Sequence, residues 1–586
     1  MNRLRFLRSL FVIVIITLWA WASLVNNAYF SHHDSQHIAR LYTFVTGISQ
    51  GQWYPRWVDL FGFNFGYPLF NFYPPLVYYV GALFHLLGSS YVWSIKLVGI
   101  SGFIIAAYGA YRYVKTTTNN QQAAYAAAIL YTYAPYHGVN LYVRGALAEF
   151  VSMAVLPWVF VSLEALRRGN KWGAGGFATS LALLMLAHPL IAFPATFFIG
   201  PYIVAAFFTV KNRRAYTAQT ILGGVFGLAM SAYFWVPSML ERTYTLVDTM
   251  LTRELASYQI HFVEPIQLWS SAWGYGGSGA GLADNLSFQL GKLHILMAGL
   301  SVLLGIIYFL LKKRTGERNI SLFAVCITTL FLLLSIGMTL QLSRPLWDAV
   351  SFLWYLQFPW RFLTFASFFI SILGAYGVAY VMELARSRAS DALINRVAMM
   401  VIVALFFVLG TYSYSRFRPE TYWSGDDRQW TRFEEIAWRV SRTSHEFAPY
   451  GVALKTSEYG TTIIDISEDE INRVLYETPG TRAVEVENTR DDYAQKTFTV
   501  RSPASFQFVL RRFSFPGWTA YVDGRASEIS SFGRYKLMQI SVPPGEHEVR
   551  FAFENTPIRT ISSVVSLLAI VTLLGWIAYQ IPRKKA

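Results

Sequence analysis

The segment Ser31-His32-His33-Asp34-Ser35-Gln36-His37 puts one carboxylate among three imidazoles, just after an apolar run at residues 8–28. An acid at a membrane boundary is costly unless it is paired or used. Three readings stay open for it. Asp34 can be a general base or substrate-binding carboxylate, with His37 on the same face if the segment is helical. His33, Asp34 and His37 can hold a divalent metal such as Mn or Mg, although their spacing matches no standard zinc pattern. The segment can also be a solvated helix cap.

Further along, Asn140-Leu-Tyr142-Val-Arg144-Gly-Ala-Leu-Ala-Glu149 offers an arginine and a glutamate five residues apart. Glu149 is either half of a structural ion pair or a second candidate base. Gln357-Phe-Pro-Trp-Arg361-Phe sits just before another apolar run. A guanidinium there matches the oxygens of a lipid phosphate in a fork, or else anchors the chain by snorkelling to the interface. His188, beside Pro189, lies at an expected outer helix end. Residues 51–76 interleave Arg56, Trp57, Asn71 and Tyr73 with glycines, prolines and other aromatics. That density suits a groove stacking on sugar or lipid, or plain interfacial packing. The chain has no Walker loop, no GxSxG and no HExxH, so nothing supports a cytoplasmic ATP-driven mechanism.

The elements that must position these residues are set by composition. The 586 residues are 54% hydrophobic and only 14% charged, which marks a polytopic membrane protein. A single cysteine, Cys326, excludes a disulfide framework and a thiolate zinc cluster. The net charge of +15 is unevenly spread: residues 415–558 hold 21 acids and 18 bases, and the rest 13 acids and 31 bases. The surplus falls in short loops between apolar runs, the mark of membrane topology rather than of nucleic-acid binding. Runs at 8–28, 92–112, 121–137, 149–166, 173–188, 190–210, 216–238, 290–311, 319–341, 362–385, 396–414 and 559–581 predict about twelve transmembrane helices. The first reads as a retained anchor rather than a cleaved signal. With twelve spans, basic clusters around Arg5, Lys115, Arg168, Arg213, Arg314, Arg388 and Lys584 all fall on the cytoplasmic side, as do both termini. The apolar segment Pro74–Leu87 would break that agreement as a span, so it reads as an outer juxtamembrane helix starting at Pro74-Pro75.

The expected organisation is therefore mainly α. A transmembrane domain spans 1–414, with outer loops 29–91, 138–148, 239–289 and 342–361. An extracytoplasmic β-rich domain spans 415–558, and a final helix with a basic cytoplasmic tail spans 559–586. Alternating strands such as Phe506-Gln-Phe-Val-Leu, with turns at Pro516-Gly517, Asp523-Gly524 and Pro544-Gly545, suggest a sandwich. Its role is either a structural lid or a carbohydrate- or acceptor-binding module.

The first outer loop, the Pro-Pro-Leu helix and the outer placement of the chemistry resemble the GT-C superfamily of membrane glycosyltransferases. The match is closest to the bacterial family labelled 6-pyruvoyl-tetrahydropterin synthase-related. The resemblance is carried by His33-Asp34-Ser-Gln-His37, Tyr54-Pro-Arg56-Trp57, Gly66-Tyr-Pro-Leu-Phe-Asn71-Phe-Tyr73-Pro-Pro75 and Arg144-Gly-Ala-Leu-Ala-Glu149. It also rests on Ser287-Phe-Gln289-Leu-Gly291, Gln357-Phe-Pro-Trp-Arg361, and a tail with Phe515-Pro-Gly-Trp518 and Pro544-Gly-Glu-His547. It implies a polyprenyl-phosphate sugar donor, an outer-face glycan, lipid or protein acceptor, and a bacterial inner-membrane location. The pterin label implies no pterin chemistry, since no soluble pterin-synthase domain is visible. Under this reading Asp34 is the base, and Arg361, with Arg56 or Arg144, stabilises the leaving phosphate. Direct displacement by a single base inverts the anomeric centre.

Two rivals belong to other classes. A transporter or flippase of lipid-linked sugars needs ionisable groups deep in several spans, whereas Glu164 and Glu383 fall near cytoplasmic ends. A noncatalytic scaffold would bind glycan through the sandwich alone.

Overall fold

The computed structural model describes residues 3–250, 257–312, 320–386, 389–457, 462–467 and 484–580. Much of the basic clusters around Arg314 and Arg388, and all of Arg583–Lys585, lies outside them. Among the described residues nine helices are long and apolar enough to cross a membrane. The run predicted at 216–238 is a bent pair, Arg213–Met230 and Ala232–Leu240, meeting at 69°, which makes ten if it counts as one span. Two of the twelve expected spans are shorter than a bilayer needs. The run at 121–137 ends at Thr132 after 12 residues, because Pro135 starts a new turn. The run at 173–188 is the 15-residue helix Gly173–Ala187, cut short before Pro189. Pro74–Leu87 forms the short helix Leu76–Leu86, as expected.

Local sequence explains many helix starts. Ser90, Asn120, Asn212, Ser321 and Ser390 each accept a hydrogen bond from the backbone N–H three residues on. Leu147–Arg167 and Pro359–Ala385 form the centre of the bundle, with 89% of each apolar window buried. The last helix, Pro557–Gln580, is peripheral and docks on the bent pair: Ser566 accepts from the Tyr233 N–H and donates to the Ala229 carbonyl.

The β-rich region before the last helix is narrower than residues 415–558. The described residues of 422–457 and 462–464 hold short helical turns, the antiparallel strands Leu454–Thr456 and Thr462–Ile464, and the pair Tyr422–Trp423, which aligns with Tyr29–Phe30 of the first loop. The sheets proper occupy 485–553. One is five-stranded and antiparallel, in the order Glu485–Asp491, Gln495–Ser502, Gly545–Phe553, Trp518–Val522, Arg525–Ser527. The other comprises Ser530–Phe532, Leu537–Val542 and Phe506–Phe513. Phe508 joins the two faces, with ring centroids 5.2 Å from Phe498 and 6.0 Å from Phe551. Asp523 and Gly524, both with positive φ, form the tight two-residue hairpin that their types favour.

The sheets lock onto the first loop. A Cβ on Gly66 would lie 2.2 Å from the Trp57 ring, so the loop closes over a fully buried Trp57 that packs on Trp518 and Phe553. Buried Lys496 pairs with Asp59 beneath it, and the Arg512 Nε lies 3.4 Å from the same carboxylate.

Candidate active site

A cavity of about 870 Å³ opens where the first loop, the ends of several bundle helices and the 443–447 segment meet. One flank is apolar, with Met185, Phe193, Ile199 and Leu228. The other end carries His33, Asp34, Arg40, Arg144, Glu149, His188, Gln357, Arg361 and Glu446.

The centre of that polar end is Glu149, fully buried in the first turn of Leu147–Arg167. Its carboxylate accepts from Arg144 Nη1 at 2.8 Å, Tyr136 OH at 2.6 Å and Thr364 Oγ1 at 3.1 Å. Arg361 Nε lies 3.5 Å away. Two guanidinium groups thus share one acid, leaving one positive charge in excess. Arg361 Nη1 is buried without a hydrogen-bond partner, and its Nη2 donates to Gln357 Oε1 at 3.2 Å. Gln357 holds a left-handed backbone, φ 63°, uncommon for a non-glycine residue and frequent where a site imposes its shape. The Arg144 guanidinium lies 4.5 Å from the Trp360 ring centroid, and Trp360 stacks on Phe358.

Arg144 and Glu149 meet despite their five-residue spacing because the chain between them is not one regular helix. Val139–Arg144 is a π-helical turn, a form enriched at functional sites. Gly145 then turns left-handed at φ 64°, where a Cβ would lie 2.2 Å from the His32 ring.

Asp34 is fixed through its backbone. The His33 and Asp34 N–H groups donate to the Val143 and Arg144 carbonyls at 3.0 and 2.9 Å. Its carboxylate is exposed to the cavity and makes no hydrogen bond or ion pair among the described residues. The helix begins only at His37, so Asp34 and His37 do not share a helical face. His37 is fully buried outside the cavity lining. Its Nε2 donates to the Gly145 carbonyl, and Tyr78 OH lies 3.1 Å from Nδ1. Burial pushes its pKa down to about 3, so the ring is neutral and steadies the Gly145 turn.

His33 Nε2 donates to the Tyr275 carbonyl at 2.8 Å. The expected metal set of His33, Asp34 and His37 is therefore not gathered. Among the described residues no three His, Cys, Asp or Glu side chains form a metal-holding group.

Tyr73 lines the cavity and lies under Arg40, whose guanidinium is 3.9 Å from the ring centroid. The remaining expected residues stand elsewhere. Arg56 donates to Asn71 and to the Tyr233 carbonyl, while Asn71 donates to Glu241 at 2.8 Å. Glu241 also accepts from Arg559 Nε at 2.9 Å and Thr556, so this network joins the first loop, the bent pair and the last helix. Trp57 is core, and Gln289 bonds Ser287 and the Ser271 carbonyl.

Sequence reasoning missed Arg40, Glu446, Tyr136 and Thr364. Arg40 had a signal, since it falls one helical turn after His37; Glu446 had none, being one of 21 acids in residues 415–558.

A family model described as "6-pyruvoyl-tetrahydropterin synthase related domain; membrane protein" matches residues 70–417, more than half of the chain. No curated protein matches. Among solved structures, one similar chain is a mutant of the arabinofuranosyltransferase AftD from Mycobacteria, 13% identical at a TM-score of 0.45, covering 71% of this chain and 28% of that one. Another is the Archaeoglobus fulgidus oligosaccharyltransferase tethered to an acceptor peptide, 10% identical at 0.44, covering 72% and 56%. A third is ArnT from Cupriavidus metallidurans bound to undecaprenyl phosphate, 9% identical at 0.30, covering 70% and 88%. The chain thus spans under a third of AftD and just over half of the oligosaccharyltransferase.

Proposed function

The chain belongs to the 6-pyruvoyl-tetrahydropterin synthase related family of membrane proteins, and we propose that it is a glycosyltransferase. It moves a sugar from a polyprenyl-phosphate donor to an acceptor glycan, lipid or protein on the outer face of a bacterial inner membrane. The observation that carries this reading is the pairing, in one cavity, of a free carboxylate with two arginines that share a single acid.

In this mechanism Asp34 takes the proton of an acceptor hydroxyl as its oxygen attacks the anomeric carbon. The bond from that carbon to the donor phosphate oxygen breaks, and polyprenyl phosphate leaves. Arg361 and Arg144 offset the charge growing on the phosphate, and Glu149 keeps both guanidinium groups aimed and solvated by protein. The apolar flank suits a prenyl chain. A single displacement inverts the sugar. The outer location is inferred from the twelve-span reading, in which the basic clusters all fall on the cytoplasmic side; it requires the short helices Gln121–Thr132 and Gly173–Ala187, with the turns that flank them, to complete two of those crossings.

Mass spectrometry of surface glycans from cells with and without the gene tests the proposal. A missing sugar should return with the wild-type gene and stay missing with Asp34→Asn at equal protein level. An unchanged glycan profile in the deletion strain, or full rescue by Asp34→Asn, would refute it.

A further inference from the structure

A second cavity, about 580 Å³, lies beside the first. The two share walls. Arg242 lines the main cavity and its neighbours Thr243 and Tyr244 the second; Glu446 and Phe447 line the main cavity, and Pro449 and Tyr450 the second. The two strips are held in register: the Tyr450 N–H donates to the Tyr244 carbonyl at 2.9 Å, and the Leu246 N–H to the Ala448 carbonyl at 3.0 Å. The sheets supply the opposite wall, through Trp518 and Lys536 among others.

The chemistry of this lining is one-sided. Tyr244 and Tyr450 are 51% and 71% exposed, leaving broad aromatic faces at the mouth. Trp518 is buried, and its indole N–H has no hydrogen-bond partner. The Lys536 ammonium has no ion pair among the described residues. Ser514 and Ser531 add hydroxyls, and among the described residues no carboxylate lines the cavity. Aromatic faces with ringed hydroxyls suit sugar rings, whose C–H faces stack and whose hydroxyls need partners. An ammonium and an N–H that no described residue pairs, with no described acid among the lining, suit a sugar that carries negative charge. A prenyl or acyl chain would instead strand those donors without partners.

We propose that this second cavity binds an anionic oligosaccharide, a chain with uronate-type carboxylates, and holds the distal units of the acceptor while its terminal hydroxyl reaches Asp34. Only the word acceptor rests on the glycosyltransferase reading; the binding site stands without it.

Isothermal titration calorimetry on the full chain in detergent tests this, with oligogalacturonate and a neutral maltooligosaccharide of equal length as probes. The acidic chain should bind saturably and the neutral one far more weakly. Lys536→Gln removes one charge-assisted contact and should weaken binding about tenfold or more. Tyr450→Ala, at an exposed position that folding tolerates, should also weaken it. Asp34→Asn should leave this binding intact even where transfer is lost, so the two readings fail separately. No binding by the wild-type chain, equal binding of the two probes, or affinity untouched by both Lys536→Gln and Tyr450→Ala would overturn the proposal.

Discussion

Asp34→Asn separates chemistry from architecture more cleanly than any other change in this cavity. Among the described residues the carboxylate makes no side-chain hydrogen bond or ion pair, and the bond that fixes its position runs from its backbone N–H to the Arg144 carbonyl. Asparagine keeps that bond and the side-chain shape. Stability should therefore stay within about 0.5 kcal/mol, as for a solvated substitution without partners. Loss of a base typically costs about 10²- to 10⁴-fold in rate, which corresponds to about 2.7–5.5 kcal/mol in the barrier. Removing one negative charge from a site walled by Arg40, Arg144 and Arg361 should leave donor binding equal or tighter. The assay is release of polyprenyl phosphate by purified enzyme from a panel of labelled polyprenyl-phosphate sugars, alongside thermal unfolding of the same preparation. Low kcat with unchanged melting and unchanged donor KM is the expected pattern. Near-normal kcat would refute the assignment and move the search to Glu149. A kcat loss accompanied by several kcal/mol of lost stability would make Asp34 a structural residue instead.

Arg361→Ala should weaken binding of the donor by about 1.5–3 kcal/mol in direct titration, and Arg361→Lys should recover only part of it, because an ammonium cannot fork onto phosphate. Glu149→Gln leaves Arg144 and Arg361 buried without their shared acid, and should cost about 3–5 kcal/mol, read as a large fall in melting temperature. His37 is neutral when folded and takes up a proton on unfolding below its ordinary pKa of 6.5, so stability falls with acid between pH 6.5 and about 3. At pH 5 this amounts to about 2 kcal/mol, and His37→Gln should flatten that slope in thermal unfolding across pH. With Cys326 removed, a cysteine at Asn488 should react with an impermeant thiol reagent in intact cells and one at Asn170 should not; the reverse pattern would invert the topology.

What the sequence makes legible follows the physics of long, repeated signals. Apolar runs near 20 residues announce helices wherever no proline interrupts them, and the strands at 495–553 announce themselves by alternation and turn pairs such as Asp523-Gly524. Where proline intervenes, hydropathy overstates the span. The run at 121–137 is apolar throughout, but Pro135 ends one helix and starts another, so 12 residues remain in the first. The described residues of 415–457 and 462–467 are harder still, because their short turns and short strands have no period to read.

The cavity was legible as an inventory and illegible as a geometry. Asp34, Arg144, Glu149, His188, Gln357 and Arg361 stand out in sequence because charged or polar groups are rare beside apolar runs, and the structure brings them to one cavity. The same rarity flags Arg56 and Asn71, yet these serve the buried network on Glu241. Sequence cannot divide the two sets, because burial makes both equally conspicuous. The division comes from satisfaction. Arg56 spends its donors on Asn71 and the Tyr233 carbonyl, and Glu241 is filled by Asn71, Thr556 and Arg559. Each network keeps a buried guanidinium nitrogen without a hydrogen-bond partner, Arg361 Nη1 in one and Arg559 Nη1 in the other, so the difference lies in Asp34, whose exposed carboxylate makes no hydrogen bond or ion pair among the described residues. A fold can hold an ion network whose carboxylate is filled for rigidity alone, whereas a carboxylate left open in a cavity adds nothing to the fold and is free to act on what binds there. That asymmetry, rather than the presence of charge, is what supports the proposal of Asp34 as the base.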